Sequence, residues 1–266
     1  MIKLIASDLD GTMLRDGTQI LDPEYFDIIH QLAKKGICFV SASGHQYNNQ
    51  RHLFAPVRDE ISFISENGAH CIHQGNVYLR HYFNQKLALR IIKESRAYKD
   101  CGIAAACEGF TCVEERNPKY TRIMDDALKT SLRVVHDLTL ETDPLFKIAI
   151  WSESDNARRC EEFQKIFQKE CDSELRIMTS GDHWIDFNTA GVNKGTALKQ
   201  LTDMLHIDPR ECVAFGDQYN DMEMLQFAGT SYVVSTCAPG METYATHVTD
   251  SVLESLKEIL RESETA

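Results

Sequence analysis

An apolar run from Ile2 to Ala6 breaks abruptly into Ser7-Asp8-Leu9-Asp10-Gly11-Thr12, and this change constrains the chain more than any other stretch. The run reads as a short strand, and two carboxylates with a glycine after it read as a strand end turned into a site. If the extended geometry continues, a period of two puts Asp8 and Asp10 on the same side. Asp-Gly is also an ordinary turn and aspartate an ordinary cap, so the motif gains weight from a second one. Phe215-Gly216-Asp217-Gln218-Tyr219-Asn220-Asp221 likewise follows an apolar strand, Cys212 to Phe215, and opens a helix containing Met222, Leu225 and Phe227.

Between these motifs the chain alternates strand and helix. Asp22-Pro23 supplies a cap and a first helical residue, Phe26, Ile29 and Leu32 recur at helical spacing, and Gly36 stops the helix after Lys34 and Lys35. Ile37 to Val40 is the next strand and runs into Ser41-Ala42-Ser43-Gly44-His45. Strand, helix and strand in this order imply a right-handed crossover in a parallel sheet, which brings Ser43 near Asp8 at the edge where open α/β sheets bind ligands. After a strand from Ile61 to Ser65, Glu66-Asn67-Gly68-Ala69 reads as a turn, and a hairpin around Gly75-Asn76 leads out of the core.

From Tyr82 to Phe187 the pattern differs. One helix is expected around Leu87, Ile91 and Tyr98 and another around Phe163, Ile166 and Phe167, with Arg158 and Arg159 on a solvated face. Strands are expected at Ile103–Cys107, Phe110–Val113, Leu145–Trp151, Leu175–Thr179 and Trp184–Phe187; the run from Asn117 to Leu140 has no clear assignment. Core character returns at Gly191-Val192-Asn193-Lys194-Gly195, entering a helix with Leu198, Leu201 and Leu205 on one face and Pro209 beyond its end.

With Ser43 and Lys194 added, the two aspartate motifs resemble the haloacid dehalogenase superfamily of aspartate-nucleophile phosphohydrolases, and more closely its Cof-type branch. The motifs occur in family order across nearly the whole length. The resemblance implies an α/β fold, a Rossmann-like parallel-sheet core from residues 1–81 and 188–266 with an inserted α+β cap, residues 82–187, that sets specificity. It implies Asp8 as nucleophile, Asp10 as general acid, and Mg2+ held by the Asp8 side chain, the Asp10 main-chain carbonyl and Asp217, supported by Asp221. Ser43, Gly44, Lys194 and Asn220 are carried over as phosphate contacts. The implied activity is Mg2+-dependent hydrolysis of small phosphate esters, sugar phosphates or phosphorylated cofactors and precursors, through an aspartyl-phosphate. A phosphomutase or phosphotransferase on sugar phosphates, and a non-catalytic phosphate-binding module, are the alternatives.

Each residue also has a plainer reading. Ser43 and Asp217 suit helix caps, Asp221 suits a helix dipole, and a Lys-Gly lysine is usually on the surface. The chain departs from the family at His45, where arginine is usual, and at Ser235-Thr236-Cys237-Ala238-Pro239, where Gly-Asn-Ala is frequent. For Asp10 to protonate a leaving group, its carboxyl has to keep a proton near neutral pH, which burial and a neighbouring carboxylate would arrange. Trp184, Glu108 and Arg116 suit a leaving group by residue type alone.

Composition narrows the partners. A net charge of −12 disfavours nucleic acid, whose backbone requires a basic footprint, and anionic membrane surfaces; a phosphate ester remains compatible, because a divalent cation reverses the field inside a cleft. No apolar run reaches the length of a membrane span, and the start leads directly into a strand without room for a signal peptide. Nine irregularly spaced cysteines then read as reduced thiols of a cytoplasmic protein. His70-Cys71-Ile72-His73 does not build a zinc site, because a strand sends the two histidines to opposite faces. The sequence leaves the oligomeric state unspecified.

Overall fold

A computed structural model describes residues 1–15, 18–115, 118–128, 132–153, 155–171, 173–180 and 183–265. The chain divides into two compact units, one formed by Met1–Leu79 with Asn193–Ala266 and the other by Arg80–Val192.

The first unit starts with β1 (Leu4–Ser7), α1 (Pro23–Lys34), β2 (Cys38–Ala42), α2 (Tyr47–Leu53), β3 (Ser62–Ser65), β4 (His70–His73) and β5 (Asn76–Arg80). Asp22 caps α1, its Oδ1 accepting from the Glu24 amide at 2.9 Å. Between β4 and β5 the positive-φ pair is Gln74-Gly75 (49° and 75°), one residue earlier than expected; consecutive left-handed residues give the twist a two-residue hairpin needs.

The second unit contains α3 (Gln85–Ser95), β6 (Cys101–Cys107), β7 (Phe110–Glu114), α4 (Pro118–Leu128), β8 (Leu132–Val135), β9 (Leu145–Ser152), α5 (Asn156–Ile166), β10 (Leu175–Ser180) and β11 (Trp184–Thr189). The chain then completes the first unit with α6 (Lys194–Leu205), β12 (Cys212–Gly216), α7 (Met222–Phe227), β13 (Thr230–Val234), β14 (His247–Thr249) and α8 (Val252–Thr265).

The sheet of the first unit runs β14-β13-β12-β1-β2-β3-β4-β5. β1 pairs in parallel with β12 on one side (Leu4 opposite Cys212) and with β2 on the other (Leu4 opposite Cys38). Strand alternation sends Ile5, Phe39, Phe63, Val213 and Phe215 into a core shared with α1 and α8, and Leu4, Ala6, Val40, Ala42 and Ala214 into a second core under α6 and α7. A sheet apolar on both faces requires helices on both. The three central parallel strands therefore end side by side at their C-terminal edge, which is where the motifs lie.

The second unit is a six-stranded sheet, β10-β11-β9-β6-β7-β8, antiparallel except where β8 lies parallel to β7. The α/β class and the α+β insert agree with the sequence reading, but three details differ. The unassigned run holds a third helix, α4, whose buried Tyr120 and Met124 pack with Ala104, Val113 and Trp151. Tyr98 lies beyond α3. Arg159 is not solvated: its guanidinium lies 3.9 Å from the Tyr98 ring centroid and pairs with Asp100 and Glu162, leaving its side chain 15% exposed. Trp184 packs against Tyr120, and Glu108 pairs with Arg80 and the Tyr82 hydroxyl; Arg116 and Asn117 lie outside the described residues. In the first unit, α6 ends through left-handed His206 (φ 55°), three residues before Pro209. All nine cysteines are free thiols, and among the described residues no helix is long and apolar enough to cross a membrane.

Candidate active site

The hydrogen bond from the Asp8 amide to the Phe215 carbonyl (3.0 Å) carries the β1–β12 ladder just past the strand end. There Asp8, Asp217 and Asp221 turn inward, each buried, with one carboxylate oxygen apiece within 4.8 Å of the others. Lys194 is fully buried, its Nζ 2.5 Å from Asp8 Oδ1 and 2.7 Å from Asp221 Oδ1.

Lys194 stands at the first position of α6, the positive end of the helix dipole and the wrong end for a cation. Its place is fixed by a reciprocal cap: Asn193 Oδ1 accepts from the Thr196 amide (2.8 Å), and Thr196 Oγ1 accepts from the Asn193 amide (3.0 Å). The turn after β3 closes against this cap. Glu66, Asn67 and Gly68 all have positive φ, and a Cβ on Gly68 would lie 2.2 Å from the Asn193 carbonyl oxygen, so only glycine lets the two segments meet.

Asp217 is held by Thr12, whose Oγ1 donates to Oδ1 at 2.8 Å. Asp221 Oδ2 accepts from the amides of Asp217 and Gln218, each at 3.0 Å, so Asp221 braces the loop as well as the lysine. Gly11 is equally constrained: its φ is +80° and a Cβ there would lie 2.3 Å from Asp217 Oδ2. The Asp217 carbonyl accepts from the Ala238 amide at 2.9 Å and the Tyr219 hydroxyl donates to the Pro239 carbonyl at 3.1 Å, so the loop that departs from the family pattern supports the backbone of this acid.

Ser43 is fully buried and its Oγ accepts from the His45 amide at 3.1 Å. It does not cap α2, whose N-cap is Gln46. Asn67 donates its amide to the Ser43 carbonyl (3.1 Å), and its Oδ1 accepts from Asn220 Nδ2 (3.2 Å) and would lie 3.2 Å from a Cβ on Gly44. Asn67 thus links Ser43, Gly44 and Asn220.

Asp10 departs from expectation. Its side chain is 53% exposed and turns to His45, Nε2 to Oδ2 at 2.8 Å. Burial works to raise the Asp10 carboxyl, but the charge and hydrogen bond of His45, with Lys194, outweigh it and hold it below its ordinary range. The shift runs downward, opposite to the one expected from burial and a neighbouring carboxylate.

The buried acids behave oppositely. Burial and the charge of Asp221 raise Asp8 well above the usual carboxylate range, against the pull of Lys194. Burial and Asp221 likewise push Asp217 up to about 6. Burial disfavours the charge on Lys194, but Asp221 and Asp8 outweigh it and keep the ammonium protonated. One ammonium among three carboxylates leaves negative charge uncompensated at a buried, all-oxygen donor set, which suits a hard divalent cation such as Mg2+.

This arrangement ties ion binding to pH. The folded protein holds a proton on Asp217 that the unfolded chain releases from about pH 4 upward, so stability from this group falls between about pH 4 and 6 in the absence of an ion. An ion bound at this carboxylate would displace that proton. Mg2+ affinity is expected to weaken as pH falls through about 6, by about tenfold per pH unit for each proton displaced. Calorimetric titration at about pH 5 and pH 7.5 measures this, and equal affinity at both would contradict it.

Comparison with known proteins identifies the class. The model of the haloacid dehalogenase-like hydrolase family matches residues 5–255, and the chain belongs to that family, in its Cof-type branch. Among curated relatives, the Escherichia coli K12 5-amino-6-(5-phospho-D-ribitylamino)uracil phosphatase YbjI is 28% identical, the match covering 98% of this chain and 97% of that one. The Bacillus subtilis protein of the same activity, YcsE, is 25% identical over 95% of this chain and 92% of its own. A crystal structure from Eubacterium rectale superposes with a TM-score of 0.83 at 31% identity, over 97% of this chain and 99% of that one. The family and its curated relatives make this chain an enzyme of the phosphatase class.

Sequence reading selected Asp8, Asp217, Asp221 and Lys194, and the structure brings them together. It passed over Thr12, although that residue stands in the first motif, and took Asn67 for a turn residue only. Gln50, described below, has no local signature at all.

Proposed function

We propose that the chain is a Mg2+-dependent phosphatase of small phosphate esters working through an aspartyl-phosphate on Asp8. The observation carrying this reading is the buried convergence of Asp8 and Lys194 from segments 186 residues apart, with Asp217 and Asp221 beside them. Mg2+, held by Asp8, the Asp10 carbonyl, Asp217 and Asp221, would neutralise the negative charge that meets when carboxylate and phosphate approach.

Lys194 orients Asp8 and offsets charge on the phosphoryl oxygens. Ser43, Gly44 and Asn220 supply further phosphate contacts. Asp8 attacks phosphorus, the ester oxygen leaves with a proton from Asp10, and water then attacks the phosphoaspartate while Asp10 takes a proton back. A bound phosphate dianion adds negative charge beside Asp10 and strengthens its hold on that proton, offsetting the resting influence of His45.

The second unit acts as the cap that selects the organic part of the ester. The activity named for two relatives makes a phosphorylated polyol, and first 5-amino-6-(5-phospho-D-ribitylamino)uracil, the ester to try. No membrane or nucleic-acid partner enters this reading, and the free thiols fit a cytoplasmic setting. The test is phosphate release from a panel of polyol, sugar and aryl phosphates with and without Mg2+. Release that requires Mg2+ is expected; isomerised sugar phosphate would indicate a mutase, and binding without release a non-catalytic module.

A further inference from the structure

Asp8, Asp217 and Asp221 are fixed by burial and by Lys194, Thr12 and backbone amides. Asp10 has no such enclosure, since half of its side chain faces solvent. A carboxylate so placed samples several rotamers, and a proton carrier is effective only in the one that faces the leaving oxygen. Something has to select that rotamer, and the geometry offers His45 at 2.8 Å.

His45 is itself held at both backbone ends. Its amide donates to Ser43 Oγ (3.1 Å), and its carbonyl accepts from the Glu66 amide (3.2 Å) and lies 3.1 Å from Gln50 Nε2. Gln50, on α2, is fully buried. Its Oε1 accepts from the Ser41 hydroxyl at 2.7 Å, while Nε2 also lies 3.2 Å from the Ile64 carbonyl and 3.1 Å from Ser65 Oγ. One amide therefore ties the end of β2, the end of β3 and the His45 backbone together. Burying an amide without partners is unfavourable; with partners on every side it fixes the loop.

We propose that His45 is a positioning residue for Asp10, holding Oδ2 so that Oδ1 meets the leaving oxygen, and that Gln50 acts one step further back by fixing His45. This rests on the reading of Asp10 as proton carrier. The arrangement uses the residue by which the chain departs from the usual arginine, and gives that departure a role.

The experiment compares release of the leaving group in the first turnover for two esters. An alkyl phosphate needs a proton on its departing oxygen, whereas 4-nitrophenyl phosphate does not. His45→Ala is expected to slow the alkyl ester roughly tenfold to a hundredfold and the aryl ester by less than about threefold. His45→Gln, which returns an N–H at a similar reach, should recover most of the loss, and Gln50→Met should shift the two esters in the same unequal way. Thermal melts of each variant check folding, and the His45 side chain is only partly buried, at 30% exposure. An equal slowing of both esters by His45→Ala, or no recovery with His45→Gln, overturns the assignment while leaving the phosphatase reading in place. A wild-type protein that releases phosphate from no ester of the polyol, sugar and aryl panel removes both.

Discussion

Replacing Asp8 with asparagine is expected to abolish phosphate release, by roughly five orders of magnitude or more, the scale lost when a member of an interdependent catalytic group is removed. The substitution keeps volume and removes only the nucleophilic charge. Because Asp8 is raised well above its ordinary range by burial and by its acidic neighbours, its folded form resists ionisation, and the neutral amide relieves that strain. The variant should therefore be at least as stable as the wild type without Mg2+ while having no turnover. Steady-state kinetics and denaturant melts on the same preparation test this. Full activity in Asp8→Asn would exclude Asp8 as nucleophile, and a large loss of stability would show that its charge supports the fold.

Lys194→Met is expected to have the opposite profile, losing activity and stability together. Lys194 is fully buried and ion-paired to Asp8 and Asp221. Removing one partner of a buried pair typically costs about 3–5 kcal/mol, because the other is left uncompensated. The effect should depend on pH. Asp8 and Asp217 have raised folded pKa values, so at low pH protonation removes much of the repulsion that the missing ammonium would have offset. Urea melts should show a larger loss at about pH 8 than at about pH 5. A loss below about 1 kcal/mol at both, the scale of an exposed pair, would contradict the buried cluster.

Local signals were legible where one residue type has one strong physical use. Asp22-Pro23 reads as a helix start and Asp22 caps α1; the apolar runs at β1, β2 and β12 read as strands of a parallel sheet, and the structure buries both faces of that sheet. Lys194 could be selected only through its companions, because in isolation its sequence suits a surface lysine better than one buried at a helix N-terminus. The run holding α4 went unassigned although Tyr120, Ile123 and Met124 recur at helical spacing and pack into one core; that signal was present in the sequence and was passed over.

The downward shift at Asp10 was missed for a different reason. Burial and nearby acids were legible along the chain, but the decisive contact comes from His45, on a loop whose course is fixed by Gln50 and by the turn after β3. Such a contact depends on three segments meeting, which periodicity and spacing do not encode. Gln50 itself reads as a polar residue of a polar stretch, and its burial becomes evident only once β2 and β3 supply its partners.

The most direct test of the chemistry is to quench the enzyme with borohydride during turnover and locate the reduced residue by mass spectrometry. An acyl phosphate on Asp8 would be reduced to homoserine at that position, only in the presence of substrate and Mg2+. Finding homoserine in the peptide that contains Asp8 is the predicted result; sustained turnover with Asp8 unmodified, or with the label on another residue, would contradict the account.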